Sequence, residues 1–393
     1  MARNRVIYQS EALYISKNIL STGSGDHRQL ARVQSANYNF NISRQDVNQF
    51  GQLARIDALV LKSPTVALDF SYYLTDGFNE RAMGFYVGTG VGAAYSEGNF
   101  SSGQMGSSSG QNFFVVTTTE GSDLNYDNGL NSLSGKGVIA LGNGFLTNYS
   151  VDASVGNLAT TKVTIEALNM TSTTYSGSGA NAGMQNPAID PTAGTANTSY
   201  IALPAPTTGT TAANDTSIPS ALRPGDISIS FGTYTGTVNT SANPISNVDL
   251  SASNSINVQS ISLSLPLKRS PIERLGSRFA FARVVDFPIL AKLDVKSIVN
   301  EVTARNLASM LDDSTERDIT LTIKNHKDTT KNALVFKFKG SRLSSESYSS
   351  SIGANKSVDL SFETQIGGPN DTAHGIFVSG AGVQDLSVLN WGY

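Results

Sequence analysis

Residues 33–74 read VQSANYNFNISRQDVNQFGQLARIDALVLKSPTVALDFSYYL, and residues 258–299 read VQSISLSLPLKRSPIERLGSRFAFARVVDFPILAKLDVKSIV. The two stretches share one grammar at an offset of 225 positions. Val33, Gln34 and Ser35 recur as Val258, Gln259 and Ser260, Arg44 as Arg269, and Gly51 as Gly276. An alternating segment comes first in each, with Tyr38, Phe40 and Ile42 in one and Ile261, Leu263 and Leu265 in the other. Strict alternation marks a half-buried strand. A charged loop with a central glycine follows, and then a long apolar stretch carrying a proline, Pro64 or Pro288.

A second pair extends the repeat. Residues 145–170 (FLTNYSVDASVGNLATTKVTIEALNM) match 342–367 (RLSSESYSSSIGANKSVDLSFETQIG) at an offset of 197, with Ser154-Val155-Gly156 on Ser351-Ile352-Gly353. The two offsets differ by 28, so the first copy carries about that many extra residues. One fold written twice is the expectation.

Working outward, residues 1–32 form an arm in which 12–16 is a candidate strand. The first domain spans 33–172, with a Ser/Gly-rich insertion near 88–110 and a short helix expected within 75–86. Strands are expected at 111–119, 138–142, 146–155 and 161–168, the last two joined by a turn at Gly156. Residues 173–224 are a linker rich in Thr, Ser, Gly and Pro. Such text buries no core alone but can lie ordered along folded copies or another subunit. The second domain spans 225–380, with strands at 227–234, 257–267, 282–295, 318–325 and 333–340. Residues 303–314 are the best helix candidate, with Thr303 as N-cap and an apolar stripe of Leu307, Met310 and Leu311. The tail, 381–393, ends with Trp391 and Tyr393 as a contact point.

Composition narrows the function. At 393 residues the chain has room for two or three domains. A net charge of −3 argues against a protein that grips nucleic acid, but not against one that DNA slides past. The absence of cysteine removes disulfides, thiolate metal sites and cysteine nucleophiles. Thirty-six glycines and only 15% charged residues suit an all-β structural protein. No apolar run reaches membrane-spanning length, and the N-terminus lacks the apolar core of a signal peptide, so synthesis in a cytoplasm without export by the general secretory route is expected.

Three patterns imitate chemistry. Gly88-Thr89-Gly90-Val91-Gly92-Ala93 fits a dinucleotide fingerprint but precedes a Ser/Gly loop instead of a helix. Gly106-Ser107-Ser108-Ser109-Gly110 fits a nucleophile elbow but lies in a serine-rich run. Asp312-Asp313 beside Glu316 and Arg317 has no metal-ligand spacing and reads as a solvated face. The histidines, His27, His326 and His374, read as solvated or turn-capping. No catalytic residue, metal or cofactor is expected, and the chain reads as a non-enzyme. A β-sandwich glycosidase would need two facing carboxylates, and no such pair stands out.

The charged loops, 43–55 and 268–281, are long for hairpin connections. Their expected role is docking on a partner subunit. Phe50 and Leu275 would be the apolar anchors, and Arg44, Asp46, Arg55, Arg269, Glu273 and Arg278 the charged partners that fix register around Gly51 and Gly276.

At these loops the chain resembles the major tail tube proteins of long-tailed bacteriophages. The resemblance is carried by SRQDVNQFGQLARIDALVLKSPTVALDFSYYLTDGFNE, LGNGFLTNYSVDASVG, ALRPGDISIS and SSSIGANKSVDLSFETQIGGPNDTAHGIFVSG, and covers about two thirds of the chain. It implies two tandem β-sandwich domains, each with a short flanking helix and a long hairpin joining an inner β-barrel. It also implies stacked rings forming a hollow virion tube. Two-domain members form trimeric, pseudo-sixfold rings, with a hexamer as the alternative. The implied partners are the chain itself, tape-measure and tail-end proteins, and DNA that transits the lumen without specific binding; no membrane is involved. A virion decoration protein or surface adhesin is the competing expectation.

Overall fold

A computed structural model describes residues 11–89, 98–105, 110–118, 124, 133–177, 182–190, 193–205, 221–223, 225, 227–231, 256–276, 279–280, 282–299, 316–324, 332–352 and 355–380. The described residues are mainly β-strand, and most of the strands join one large antiparallel sheet system.

The main strands of the N-terminal part are β1 (Glu11–Ser16), β2 (Val33–Asn41), β3 (Gln45–Val47), β4 (Asp57–Leu59), β5 (Thr65–Tyr73), β6 (Gln111–Thr117), β7 (Gly137–Ser154), β8 (Thr160–Ala167) and β9 (Asn169–Thr174). Two short helices, α1 (Phe78–Ala82) and α2 (Ser102–Met105), lie between β5 and β6. The C-terminal part supplies β10 (Ile227–Phe231), β11 (Ile256–Pro266), β12 (Arg269–Ile272), β13 (Ala282–Val285), β14 (Leu290–Val299), β15 (Arg317–Lys324), β16 (Asn332–Ser349), β17 (Ser357–Gln365) and β18 (Gly375–Gly380).

Eight strands form a continuous inner sheet in the order β2-β5-β8-β7-β11-β14-β17-β16. Its first four strands and its last four have the same order. They also have the same register. Ser35, Asn37 and Asn39 of β2 face Ser71, Asp69 and Ala67 of β5. At an offset of 225, Ser260, Ser262 and Ser264 of β11 face Lys296, Asp294 and Lys292 of β14. A bulge interrupts both pairs at the matching place, Val33/Ser35 and Val258/Ser260. Lys162 faces Ser150 across β8 and β7, and at an offset of 197 Asp359 faces Ser347 across β17 and β16. Each of these pairs skips one residue, and each skipped side chain bonds across the gap. Thr147 Oγ1 donates to Thr164 O at 3.2 Å, and Ser344 Oγ donates to Ser361 O at 3.1 Å.

One face of the inner sheet is apolar and is covered by two outer sheets. The first half of β7 leaves the inner sheet to pair with β6 and β9, and β1 pairs with β6. The first half of β16 does the same with β15 and β18, and β10 pairs with β15. Each long strand therefore serves two sheets and must turn between them. The turn is made in β7 by Asn143 at φ 55° and in β16 by Gly340 at φ 62°, again 197 positions apart. A left-handed residue kinks a strand without ending it, and Gly or Asn accepts that conformation most readily. At position 340 a Cβ would also meet the His374 ring at 2.6 Å.

The segments 138–142 and 146–155 are thus parts of one strand instead of two, as are 333–340 and the segment after it. The expected strand 282–295 is instead two, β13 and β14, divided at Pro288. The short helix expected within 75–86 is α1, and Gly156 turns the β7–β8 hairpin at φ 85°. Residues 11–16 form a buried strand of the first outer sheet, with Tyr14 and Ile15 fully inside. From the low-complexity segment, Met184, Ile201 and Leu203 pack with Tyr14 and Phe114 in a second apolar cluster. The helix expected at 303–314, with Thr303 and its stripe, lies outside the described residues, as do Arg278, His326, Asp312-Asp313, Trp391 and Tyr393.

Candidate assembly interface

Among the described residues the inner sheet ends in two edges with no further strand beside them, β2 and the second half of β16. Both carry apolar side chains that their counterparts within the chain have buried. β11, the counterpart of β2, lies against β7, and its Leu263 and Leu265 are 2% and 0% exposed. The matching side chains on β2 are Tyr38, half-buried, and Phe40, 57% exposed. At the other edge Tyr348 is 37% exposed, whereas Val151, its match on β7, is 4% exposed. Residue type alone does not account for this. A strand in mid-sheet is covered on both sides, and an edge strand has one neighbour missing.

The opposite face of the inner sheet is largely polar. It carries six carboxylates (Asp69, Asp152, Glu166, Asp294, Asp359, Glu363) and four cations (Lys162, Lys292, Lys296, Arg342), interspersed with Ser, Thr and Asn. Several of these groups pair across strands. Lys162 lies 3.5 Å from Asp152, Lys296 lies 3.8 Å from Asp359, and Ser262 Oγ donates to Asp152 at 2.7 Å. The ion pairs are about half exposed, so each contributes little to stability.

The two charged loops are short hairpins projecting from the sheet. β3 pairs with β4 so that Asp46 faces Ala58, and β12 pairs with β13 so that Pro271 faces Arg283, the same register shifted by 225. Their tips match as well: Gly51 and Gly276 both have φ 84°, and the preceding Phe50 and Leu275 stand entirely in solvent. Arg55 closes the first hairpin on Asp46 at 2.9 Å. Glu273 is exposed near the second tip, and Arg278 is not described.

The bases of the hairpins differ. Arg44 is exposed, and its counterpart Arg269 is buried on the N-terminal half of its own chain. Arg269 Nη2 donates to Gln104 O at 2.6 Å, and its guanidinium lies 5.1 Å from the centre of the Phe145 ring. Burial, with Arg283 as a second cause, lowers its pKa to about 10. Arg283 is also over Phe145, at 5.9 Å, and its Nη1 sits 2.6 Å from Glu166 Oε1. Sequence reasoning singled out Arg269 but not Phe145, Glu166 or Arg283, which meet it only through the fold.

A further buried group has no counterpart in the sequence reading. Glu80 on α1 is fully buried and accepts hydrogen bonds from Tyr72 Oη at 2.6 Å and Tyr149 Oη at 3.0 Å. Burial raises its pKa, against the opposing effect of the two tyrosine bonds. Asn79 beside it bonds both the N–H and the C=O of Ala31, so α1 is pinned to the inner sheet and to the N-terminal segment. Among the described residues no group of three or more His, Asp or Glu side chains could hold a metal ion. His27 is buried, with Nδ1 2.8 Å from Gly23 O, and burial lowers its pKa.

No protein-family model matches the chain, and no curated protein does. Among solved structures it is similar to the SPP1 tail tube, at 10% identity and a TM-score of 0.22, over 40% of this chain and 79% of that one. It is similar also to a chain of the anti-feeding prophage baseplate, at 14% identity and a TM-score of 0.23, over 39% and 91%. A third similarity is to a chain of the native gene transfer agent particle, at 10% identity and a TM-score of 0.19, over 39% and 95%.

Proposed function

We propose that this chain is a structural, non-enzymatic virion protein, built from two tandem copies of one tube domain, whose copies join edge to edge into rings that stack as a hollow tail tube. The observation that carries this is the open pair of edges. β7 and β11 already join the two four-strand modules, with Val151 opposite Leu263 and Ser150 opposite Ser264. Carrying that register to the free edges sets Tyr38 opposite Tyr348 and Asn39 opposite Ser347 of a neighbouring copy. The contact is head-to-tail, so repetition closes a ring when the rotation permits. Closure removes both edges and covers Phe40 and Tyr348.

Three copies of eight strands give about 24 in the barrel. At about 4.8 Å per strand and a tilt of about 40°, the backbone circle is about 48 Å across. Six copies would double that width. The polar face lines the lumen, and its small excess of carboxylates favours passage of DNA without capture. The free tips at Phe50 and Leu275 reach the next ring, and tape-measure and tail-end proteins meet the tube's interior and ends.

The test uses the chain's lack of cysteine. Asn39→Cys with Ser347→Cys should cross-link neighbouring copies on oxidation and give trimers on a denaturing gel, with hollow rings of six lobes by electron microscopy. Asn39→Cys with Glu346→Cys should not, because a one-residue slip puts the side chains on opposite faces. A chain that stays monomeric, with no cross-link from particles, would sink the tube and favour a decoration protein or adhesin. Hexamers would keep the tube and sink the trimer.

A further inference from the structure

Arg269 is buried because the N-terminal module lies beneath the second hairpin, and Arg44 is exposed because none of the described residues covers the base of the first. We infer that the base of the first hairpin seats in an acidic groove on the C-terminal module of a neighbouring copy, with Arg44 meeting Glu363 there. This rests on the edge-to-edge reading above.

The groove is found by the same offset that relates the modules. Phe145 and Glu166 receive the second hairpin, and 197 positions on stand Arg342 and Glu363. Phe145 faces Glu166 across β7 and β8, and Arg342 faces Glu363 across β16 and β17. At this spot an open groove of about 520 Å³ is lined by Glu316, Arg342, Leu343, Glu363, Asp371 and His374, among others. Among the described residues no counterpart of the second hairpin fills it.

The chemistry of the seat has changed with its occupant. In the filled seat two arginines lie over an aromatic ring and one of them meets a carboxylate. In the open groove the ring position is Arg342, held by Glu316 through Nη2 at 2.7 Å and Nε at 3.2 Å. Glu363 keeps the carboxylate of Glu166, and no ion pair reaches it among the described residues. On the incoming hairpin Arg44 is retained, whereas Arg283 is matched by Ala58. One arginine instead of two enters a seat that already holds its own cation. The groove also carries Asp371, whose pKa the Ala373 amide and His374 lower, so its charge favours a cationic occupant. The occupant that this charge and register select is a second copy of this chain.

The two junctions of a ring are then alike in backbone and different in side chains. That difference keeps the first hairpin from competing for the Phe145 seat. A like-charge or cavity mismatch of this kind gives specificity as much as affinity.

The experiment places Arg44→Glu, Glu363→Arg and the pair together in the Asn39→Cys/Ser347→Cys background. Either single change should raise the concentration needed for half-maximal cross-linking by about tenfold, and the pair should restore it. Melting of the dispersed chain checks that Arg44→Glu leaves the fold intact, as expected for an exposed residue. If the background chain cross-links and Arg44→Glu has no effect, or the charge swap fails to rescue, the hairpin seat is wrong and the ring reading survives. If the background chain itself gives no intermolecular cross-link, the ring reading fails and takes the seat with it.

Discussion

Phe40 and Leu265 occupy matching positions in the two modules, and the same truncation should act on different equilibria at each. Leu265 is fully buried at the junction inside the chain, so Leu265→Ala should cost the dispersed subunit about 2–5 kcal/mol of folding stability. Phe40 is 57% exposed. For a side chain that buries roughly 200 Å² when fully covered, that leaves about 110 Å² to bury on assembly. At about 25 cal/mol per Å² the gain is about 3 kcal/mol per junction, of which a retained methyl keeps about a third. Phe40→Ala should therefore weaken association by about 2 kcal/mol, roughly thirtyfold, and lower subunit stability by only about 1 kcal/mol. Sedimentation velocity across a concentration series reads the first quantity, and urea unfolding of the dispersed chain reads the second. Equal losses of subunit stability in the two variants would refute the reasoning, because Phe40 would then belong to the subunit core. Unchanged assembly of Phe40→Ala would refute it from the other side.

Other consequences follow from single groups. Replacing Phe50 and Leu275 with Asp should leave folded subunits and rings, since both side chains are fully exposed, but shorten the tubes seen by electron microscopy; normal lengths would remove them from stacking. Gly340→Ala should lower the melting temperature through a left-handed φ and a Cβ 2.6 Å from the His374 ring, a loss of about 1–3 kcal/mol; an unchanged melt would mean that the kink is not needed. Glu80 holds its proton more tightly when folded. Its contribution is therefore full below its ordinary value of 4.5 and is lost as pH rises through the higher folded value. Urea unfolding from pH 4.5 to 8 should accordingly show a falling stability that Glu80→Gln flattens, and an unaltered slope in that variant would exclude Glu80 as its source. Arg283→Met should strip the buried partner from Glu166 and loosen the second hairpin, by about 1–3 kcal/mol given that Glu166 is one-third exposed; protease cleavage within 273–280 should rise, and equal resistance would count against the contact.

Much of the fold was legible because its signals are local and occur twice. The alternation of 33–42 and 258–266 marks the strands, and the offsets of 225 and 197 recover pairings, bulges and hairpin tips without knowledge of the partners. The long strands were not legible. Gly142-Asn143-Gly144 has the composition of a tight turn, and only the presence of sheets on both sides makes it a kink within β7. The low-complexity segment hid Met184, Ile201 and Leu203 for a similar reason, since apolar residues so widely spaced show no period. Arg269 was legible as a position but not as an environment. Its ring partner is 124 positions away and is replaced by Arg342 in the second module. Glu80 gave no signal, because a carboxylate between two tyrosines is buried by contacts that span 8 and 69 positions.

Joining two modules in one chain has a physical consequence for assembly. In a ring of six separate modules every junction forms between molecules, and each carries the loss of translational and rotational freedom. In the proposed ring half of the junctions would be internal, so the β7–β11 contact would form as part of folding and at an effective concentration set by the connecting segment. Closing the proposed trimeric ring would then need three encounters instead of six. The internal junction is also released from being identical to the external one. It holds two arginines over Phe145 and a Ser262–Asp152 bond, whereas the external edges offer Asn37 and Ser349 at the corresponding place. The internal contact can thus be strong enough to remain closed in every subunit. In the proposed ring the external one would have only to be strong enough for cooperative closure, and weaker single contacts would allow misplaced subunits to leave before the ring seals. Strengthening the external edge by Asn37→Ser with Ser349→Asp, which copies the internal pair, should therefore slow the formation of uniform rings even as it tightens each contact. Light scattering after dilution into assembly conditions would follow this, and faster formation of uniform rings in that variant would show that edge strength is limiting instead.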